Sequence, residues 1–280
     1  MPSGTLFVVA TPIGNLEDLS PRAVATLKRV DTVAAEDTRR TQGLLSAIDA
    51  HPKLVSYHAH SNEKRTDALI RTLEAGHDVA VVTDAGTPAV SDPGTEIVAA
   101  ARSAGILVVP VAGPSAVAAA LSASGLGGDR YLFLGFLPRK GPPRRRLLER
   151  AGTEPWSVVI FEAAGRLVEL LDDLETVCGQ DRNAFVAREL TKVHEELRSG
   201  TLGELRAYYS SHDVLGEVTV VLAARPGDES GEIPVDLSEV SAAIAERVGA
   251  GASRKDIVTM VSARFGLSRN DAYRMVMEQG

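Results

Sequence analysis

Apolar residues along the chain alternate between short unbroken runs and helical spacings. Residues 6–11 (LFVVAT), 31–37 (DTVAAED), 79–84 (VAVVTD) and 106–111 (ILVVPV) read as strands, and their near-continuous apolar character predicts burial on both faces. Between most of them lie amphipathic stretches with start signals. Ser20 before Pro21 places a cap ahead of a proline at the first helical position, opening PRAVATLKRV. Residues 62–75 carry leucine and alanine at helical spacing, and Asp92-Pro93 repeats the cap-and-proline device before GTEIVAAARSAG. Strand, helix, strand with fully apolar strands predicts a largely parallel sheet covered by helices.

A second series follows the small-residue helix at 114–125: YLFLGF (131–136), SVVIFE (157–162), NAFVAREL (183–190) and VTVVLA (218–223), with helical stretches such as RLVELLDDLETV (166–177) between. The pattern predicts an α/β fold of two α/β domains, residues 1–113 and 114–226, joined near 112–126. A charged, turn-rich stretch at 225–234 (RPGDESGEIP) reads as a linker to a helical, helix-turn-helix-like appendage at 235–280.

Composition narrows the class. With 280 residues, 44% hydrophobic and 24% charged, the chain is an ordinary globular protein, and no apolar run is long enough to span a bilayer. The amino terminus lacks a basic segment followed by an apolar one, so a secretory signal is not expected, and the cytoplasm is the expected compartment. Cys178 is the single cysteine, which excludes a disulfide framework and a cysteine-based zinc site; it reads as a helix-end residue. A net charge of −7 means that any nucleic-acid contact must rest on local basic patches.

The most constrained segment is TDAGTPAVSDPG, residues 83–94, with two aspartates, two glycines and two prolines immediately after an apolar run. Gly86 permits backbone conformations closed to other residues, and Pro88 and Pro93 fix φ. Such a loop offers its amides and carbonyls at low ordering cost, and ligands of open parallel sheets bind beyond the carboxyl ends of the strands. Residues 10–21 (ATPIGNLEDLSP), 36–41 (EDTRRT) and 111–116 (VAGPSA) stand at equivalent strand ends. Neither G-x-G-x-x-G nor G-x-x-x-x-G-K-[ST] occurs, which disfavours a dinucleotide or nucleoside triphosphate. Backbone groups with the carboxylates of Asp84, Glu36 and Asp37 suit a zwitterionic or cationic small molecule.

The set ATPIGNLEDLSPRA, AAEDTRRT, VTDAGTPAVSDPG, VAGPSA and FLGFLPRK, in this order and over nearly the whole chain, resembles the 16S ribosomal RNA cytidine 2′-O-methyltransferases (the RsmI family) of the tetrapyrrole methylase superfamily. The resemblance implies two α/β domains with S-adenosylmethionine between them, a homodimer, and a cytidine ribose in the decoding region of 16S ribosomal RNA, within the 30S subunit, as substrate. Carried onto this chain, it implies cofactor contacts from Pro12, Asp84, Ala85, Gly86, Thr87, Val90, Ser115, Ala116 and Phe161. The family more often has a proline and a histidine where this chain reads FEAAGRL (161–167); Ala163, Ala164 and Gly165 stand there instead, and Arg166 remains.

Methyl transfer from a sulfonium to a hydroxyl needs in-line alignment and a group to take the hydroxyl proton. One of the pair Glu36 and Asp37 is the expected base and the other its orienter, with Asp84 and Glu189 behind them; alternatively Asp37 caps the helix through TRRTQGLL while Glu36 pairs with Arg39 or Arg40. Arg39 and Arg40 oppose the helix dipole at that first turn, which favours an anionic partner there. Arg139, Lys140, Arg144, Arg145 and Arg146, with no acid among them, are expected to form a basic loop that enters a helix and meets RNA phosphates. In the appendage, Ser253 with Asp256 and Ser268 with Asp271 read as two helix starts separated by Gly266, which makes the tail either a nucleic-acid reader through Arg269, Asn270 and Arg274 or a packing module. His58 and His60 lack a third ligand, so no metal is expected; Lys192 and Glu195, near His194, could order RNA or the mouth of the cofactor site. A tetrapyrrole substrate is the alternative within the superfamily, although 4% aromatic residues provide few platforms for a macrocycle. A non-catalytic ribosomal RNA-binding protein is the alternative outside it.

Overall fold

The computed structural model describes residues 2–58, 63–225, 237–265, 267 and 269–279. The first half holds β1 (Leu6–Val9), β2 (Thr32–Ala35), β3 (Lys53–Ser56), β4 (Val79–Val82) and β5 (Val108–Val111) in the order β3-β2-β4-β1-β5. Every neighbouring pair is parallel. Alternation along the strands divides the core into two layers. Phe7, Val9, Ala80 and Val82 meet α1 (Pro21–Arg29) and α2 (Thr38–Ala47) through Ala23, Leu27 and Leu45. Leu6, Val79 and Val81 meet α3 (Glu63–Glu74) and α4 (Thr95–Ser103) through Leu69, Leu73, Ile97 and Ala101. Ser20 caps α1 as its sequence predicts, accepting the Ala23 N–H. Asp92 does not cap α4: the N-cap is Gly94, without a side-chain bond, and Asp92 and Pro93 stay in the loop. The strand β3 carries no signal in the apolar pattern, because this half-buried edge has only Leu54 and Val55 between polar ends.

The second half contains β6 (Tyr131–Phe136), β7 (Ser157–Ala163), β8 (Asn183–Arg188), β9 (Glu196–Thr201) and β10 (Glu217–Leu222) in the order β6-β7-β10-β8-β9. Only β6 and β7 are parallel; the other pairs are antiparallel. The continuous apolar runs of β7 and β10 nevertheless have a cause, since both faces of this sheet are covered. Val158, Ile160, Val218 and Val220 face α6 (Pro142–Thr153), α7 (Leu167–Cys178) and α8 (Leu202–Ser210). Val159 and Val221 face α5 (Ala116–Ser124) through Val117, Ala120 and Leu121. The edge strand β9, ELRSGT, was not expected, because its one apolar residue leaves no alternation to read.

At the end of the chain, α9 (Leu237–Gly249), α10 (Arg254–Phe265) and α11 (Arg269–Gln279) form a three-helix bundle around Val240, Ile244, Ile257, Val261, Ala272 and Val276. Ser253 and Asp256 bond as the sequence predicts: the hydroxyl donates to the Asp256 carboxylate at 2.7 Å and accepts the Asp256 N–H at 3.2 Å. The segment is helical from Leu237 as expected of 235–280, and α9, which carries no start signal of its own in the two-helix pattern, completes the small core through Val240 and Ile244. Most of the expected linker, and Gly266, Ser268 and His60, lie outside the described residues.

Candidate active site

Because the first sheet is wholly parallel, the turns after β1, β2, β4 and β5 collect on one side, and they are tied together there. Thr11 and Gly86 exchange backbone bonds, with Thr11 N–H to Gly86 O at 2.9 Å and Gly86 N–H to Thr11 O at 3.1 Å. The Thr11 hydroxyl donates to Thr83 O at 3.0 Å, and the Thr87 hydroxyl to Pro114 O at 3.4 Å. Asp84 accepts the Asp37 N–H at 2.9 Å and faces Arg40 at 3.6 Å. Gly86 adopts φ +83°, the left-handed region its sequence context implied.

These turns form one wall of a cleft of about 260 Å³, and the second sheet forms the other. Ile13, Glu36, Arg40, Asp84–Thr87 and Val90–Asp92 come from the first half. Ser115, Ala116 and Val117 open α5, with Ser115 as its N-cap. Phe136, Phe161, Glu162, Glu217, Val218 and Thr219 come from the second sheet. Phe161 makes edge-to-face contacts with Phe133 at 4.9 Å and Phe136 at 5.5 Å between centroids, so an aromatic surface is held in place.

Two glycines let the halves approach. A Cβ on Gly14 would fall inside the contact radius of Lys192 Cγ and 2.9 Å from Leu190 O, so the turn after β1 packs directly on the turn after β8. A Cβ on Gly135, at a bulge in β6, would lie 2.8 Å from Ser91 Oγ. The Lys192 ammonium sits between Glu189 at 2.7 Å and Glu217 at 3.0 Å and fixes that rim. The hydrogen bond from Lys192, against a smaller opposing effect of burial, holds the Glu189 carboxyl below its ordinary range, which leaves it charged and engaged.

The expected site residues divide into three groups. Asp84, Ala85, Gly86, Thr87, Val90, Ser115, Ala116, Phe161, Glu36 and Arg40 all line the cleft. Pro12 does not; its neighbour Ile13 does. Asp37 stands behind the wall, where Oδ1 of its carboxylate caps α2 by accepting the Arg39 N–H at 2.8 Å, which is the cap reading of this residue and not the base-or-orienter one. Arg39 is exposed beside it, and Arg40 pairs with Asp84 rather than Glu36. The basic segment 139–146 runs from a loop into a helix as its sequence predicts, with α6 beginning at Pro142. Arg139, Lys140, Arg145 and Arg146 are exposed, whereas Arg144 is buried. Its guanidinium donates to Asp173 at 2.7 Å and to Pro138 O at 3.2 Å and faces Glu162 at 3.7 Å, so it is a structural cation and not a phosphate ligand. Arg166 is partly covered, facing Glu162 at 3.7 Å and Glu169 at 3.6 Å. Among the described residues no group of three metal-ligating side chains occurs.

Sequence reasoning missed the contributions of Phe136, Glu162, Glu217 and Thr219, and it read Asp92 as a cap. Only the docking of the second sheet brings those four to the first-half turns; the signal for Asp92 was its place within the stiffest loop.

The electrostatics follow from this convergence. Glu36, Asp84, Asp92, Glu162 and Glu217 line the cleft, and among the described residues Arg40 is the one cation that lines it with them. Burial, then repulsion from Glu36, Asp84 and Glu217, pushes the Asp92 carboxyl up to about 7. A cationic ligand with an aromatic part is complementary to this wall: carboxylates for positive charge, main-chain groups of 84–87 for polar contacts, and Phe161 with Val90 and Val117 for a ring. S-adenosylmethionine, with a sulfonium, an ammonium and an adenine, fits that donor set.

The family model described as Tetrapyrrole (Corrin/Porphyrin) Methylases matches residues 5–206. A protein of Synechocystis sp. named Ribosomal RNA small subunit methyltransferase I is 42% identical over 276 residues, covering 98% of both chains. A protein of the same name from Pseudomonas aeruginosa is 46% identical over 235 residues, covering 82% of this chain and 83% of its own. The crystal structure of uroporphyrin-III C-methyl transferase from Thermus thermophilus complexed with S-adenyl homocysteine shares the fold, with a TM-score of 0.57 and 21% identity over 79% of this chain and 97% of that one. With two α/β halves closing on one cleft and this identity along the whole chain, the protein belongs to the tetrapyrrole methylases and, within them, to the ribosomal RNA small subunit methyltransferase I family.

Proposed function

We propose that this protein methylates small-subunit ribosomal RNA with S-adenosylmethionine as donor, and that its target is the 2′-oxygen of a cytidine in the decoding region. The observation that carries the reading is the prebuilt cleft, in which four strand-end turns cross-linked by hydrogen bonds present main-chain groups and carboxylates opposite Phe161. When bound there, S-adenosylmethionine supplies an electrophilic methyl group. Ala85, Gly86, Thr87, Ser115 and Ala116 hold it, Asp84 and Val90 border it, and Phe161 packs on a flat part of it. Holding the acceptor in line with the donor can supply roughly 7–11 kcal/mol of barrier reduction.

Arg39, Arg40, Arg139, Lys140, Arg145, Arg146 and Arg166 meet the RNA backbone, which gives an acidic protein of net charge −7 a local phosphate-binding surface. The RNA is presented within the 30S particle, the protein acts as a homodimer, and the cytoplasm is where they meet; the names of the relatives support the ribosomal substrate, and among the described residues no helix is long and apolar enough to cross a membrane.

The test is transfer of labelled methyl from S-adenosylmethionine to 30S particles, to free 16S RNA and to a uroporphyrinogen-type macrocycle, with nuclease digestion to locate the label. Label on a cytidine 2′-oxygen of the RNA is expected. Label on the macrocycle alone, or none from protein that binds the donor, would overturn the reading, and light scattering decides the dimer.

A further inference from the structure

We propose that Asp92 is the group that takes the proton from the attacking hydroxyl, and that it ionises when a cationic methyl donor lies beside it. The proposal rests on the reading of the cleft as a methyl-transfer site with an O–H acceptor.

The geometry isolates Asp92 among the acids of the cleft. Asp37 is outside the wall and occupied as a helix cap. Asp84 accepts an N–H and faces Arg40, on α2. On the second-half side, Glu217 of β10 pairs with Lys192 at 3.0 Å. Glu162 of β7 accepts its neighbour's N–H at 3.0 Å and faces Arg144 and Arg166, each at 3.7 Å. Glu36 and Asp92 remain, and among the described residues neither carries a hydrogen bond or an ion pair from its carboxylate. Of these two, Asp92 sits in the constrained loop. Ala89 at φ +68° and Ser91 at φ +62° are non-glycine residues in the left-handed region, one on each side of Val90 and directly before Asp92. Ala89 N–H bonds to Pro93 O at 3.2 Å, and Ser91 is set against Gly135 of the other half. Backbone held in such conformations by both halves marks a position where placement matters more than local comfort.

The chemistry agrees with the placement. A carboxyl pushed to about 7 by burial and by Glu36, Asp84 and Glu217 is matched to proton transfer near neutral pH. Arrival of a sulfonium offsets the three neighbouring negative charges and lowers that value, so donor binding expels a proton and leaves the carboxylate ready. The Asp92 carboxylate then accepts the hydroxyl proton as the oxygen–carbon bond forms and the carbon–sulfur bond breaks. The electron pair stays on sulfur as a neutral thioether, and the positive charge leaves as the proton on Asp92. With the sulfonium gone, the carboxyl returns to its raised affinity, half protonated near pH 7, and the next donor lowers that affinity again.

Four measurements on the whole protein test this. Carbon-13 spectra of aspartate-labelled protein without ligand should show one carboxyl titrating near pH 7 that is absent from Asp92→Asn; no such carboxyl in the wild type would overturn the proposal. Calorimetry at pH 7 in buffers of different ionisation enthalpy should show release of roughly half a proton on binding S-adenosylmethionine, the amount held when pH equals pKa, and less on binding S-adenosylhomocysteine. Equal release for the two ligands, or unchanged release in Asp92→Asn, would sink it. Asp92→Asn should lower kcat by about 100-fold or more and, because a donor that expels the proton must favour the ionised carboxylate, weaken donor binding by about tenfold. A wild-type kcat in the variant, or a loss confined to donor affinity, assigns Asp92 to binding and ends the claim. Glu36→Gln should move the titration to lower pH by removing a like charge, and an unmoved midpoint would remove the physical basis. Failure of wild-type protein to methylate any RNA hydroxyl breaks the proposed function; transfer that survives Asp92→Asn breaks this inference alone.

Discussion

In the first sheet all five strands run the same way, so turns after β1, β2, β4 and β5 reach the cleft and contribute chiefly backbone, glycine and short acids. In the second sheet three of the four pairings are antiparallel, and it contributes a surface: Phe161 and Thr219 are direct partners across β7 and β10, and both line the cleft. One half therefore shapes a ligand's polar outline through atoms that mutation barely alters, whereas the other supplies side chains that mutation removes. Damage to the turn backbone of the first half should act through conformation, and damage to the side chains of either wall through lost contacts or lost charge balance.

The largest effect should come from the charge balance beneath the second wall. Arg144→Ala leaves Glu162 with only Arg166 nearby, and breaking a buried pair costs about 3–5 kcal/mol, whereas the exposed neighbour Arg145→Ala should stay within about 0.5 kcal/mol; urea unfolding compares them directly. Equal stability of the two variants would mean that the buried pair is not the keystone of that wall. Next comes the junction. Gly14→Ala forces the first turn off Leu190 and Lys192 and should weaken donor binding about tenfold, some 1.4 kcal/mol, by calorimetry, with the far-ultraviolet spectrum unchanged. Phe161→Leu keeps an apolar side chain but removes two aromatic contacts of about 0.5–1.5 kcal/mol each, and it should raise donor Kd with little effect on the fold.

A pH effect separates the halves further. The folded-state value of Asp92 lies above its ordinary 3.8, so its contribution to stability is complete below that value and is lost progressively as pH rises to about 7. Without donor, Asp92→Asn should therefore gain melting temperature over the wild type as pH rises through this window, and a constant difference from pH 4 to 8 would contradict the burial. The smallest effect per residue is expected at the exposed basic positions. Neutralising Arg139, Lys140, Arg145 or Arg146 singly should reduce the slope of log affinity for RNA against log salt by about 0.7–0.9 and leave donor affinity alone. An unchanged slope in all four variants would move the RNA path elsewhere.

How far the amino-acid order reached follows from the same contrast. Ser20, Asp37, Ser115 and Ser253 act as caps where their local patterns predict helix starts, because a cap is decided within one helical turn. The buried strands were legible because burial on both faces leaves an unbroken apolar run. The edge strands β3 and β9 were not, since a strand covered on one side with few apolar residues has no such signature. Arg144 shows the same boundary among charges: in sequence it is one of five basic residues, and its pairing with Asp173 and Glu162, brought in from α7 and β7, helps withdraw it from the surface.

The order of residues thus determined the alternating elements, the stiffness of loop 83–94 and the family resemblance, all of which depend on neighbours close in the chain. The tertiary structure alone decided the antiparallel second sheet, the partner of each acid and the company around Asp92. Glu36, Asp84 and Glu217 lie far apart along the chain, and a carboxyl's affinity for its proton depends on distance through space and on access to water, neither of which a linear order contains.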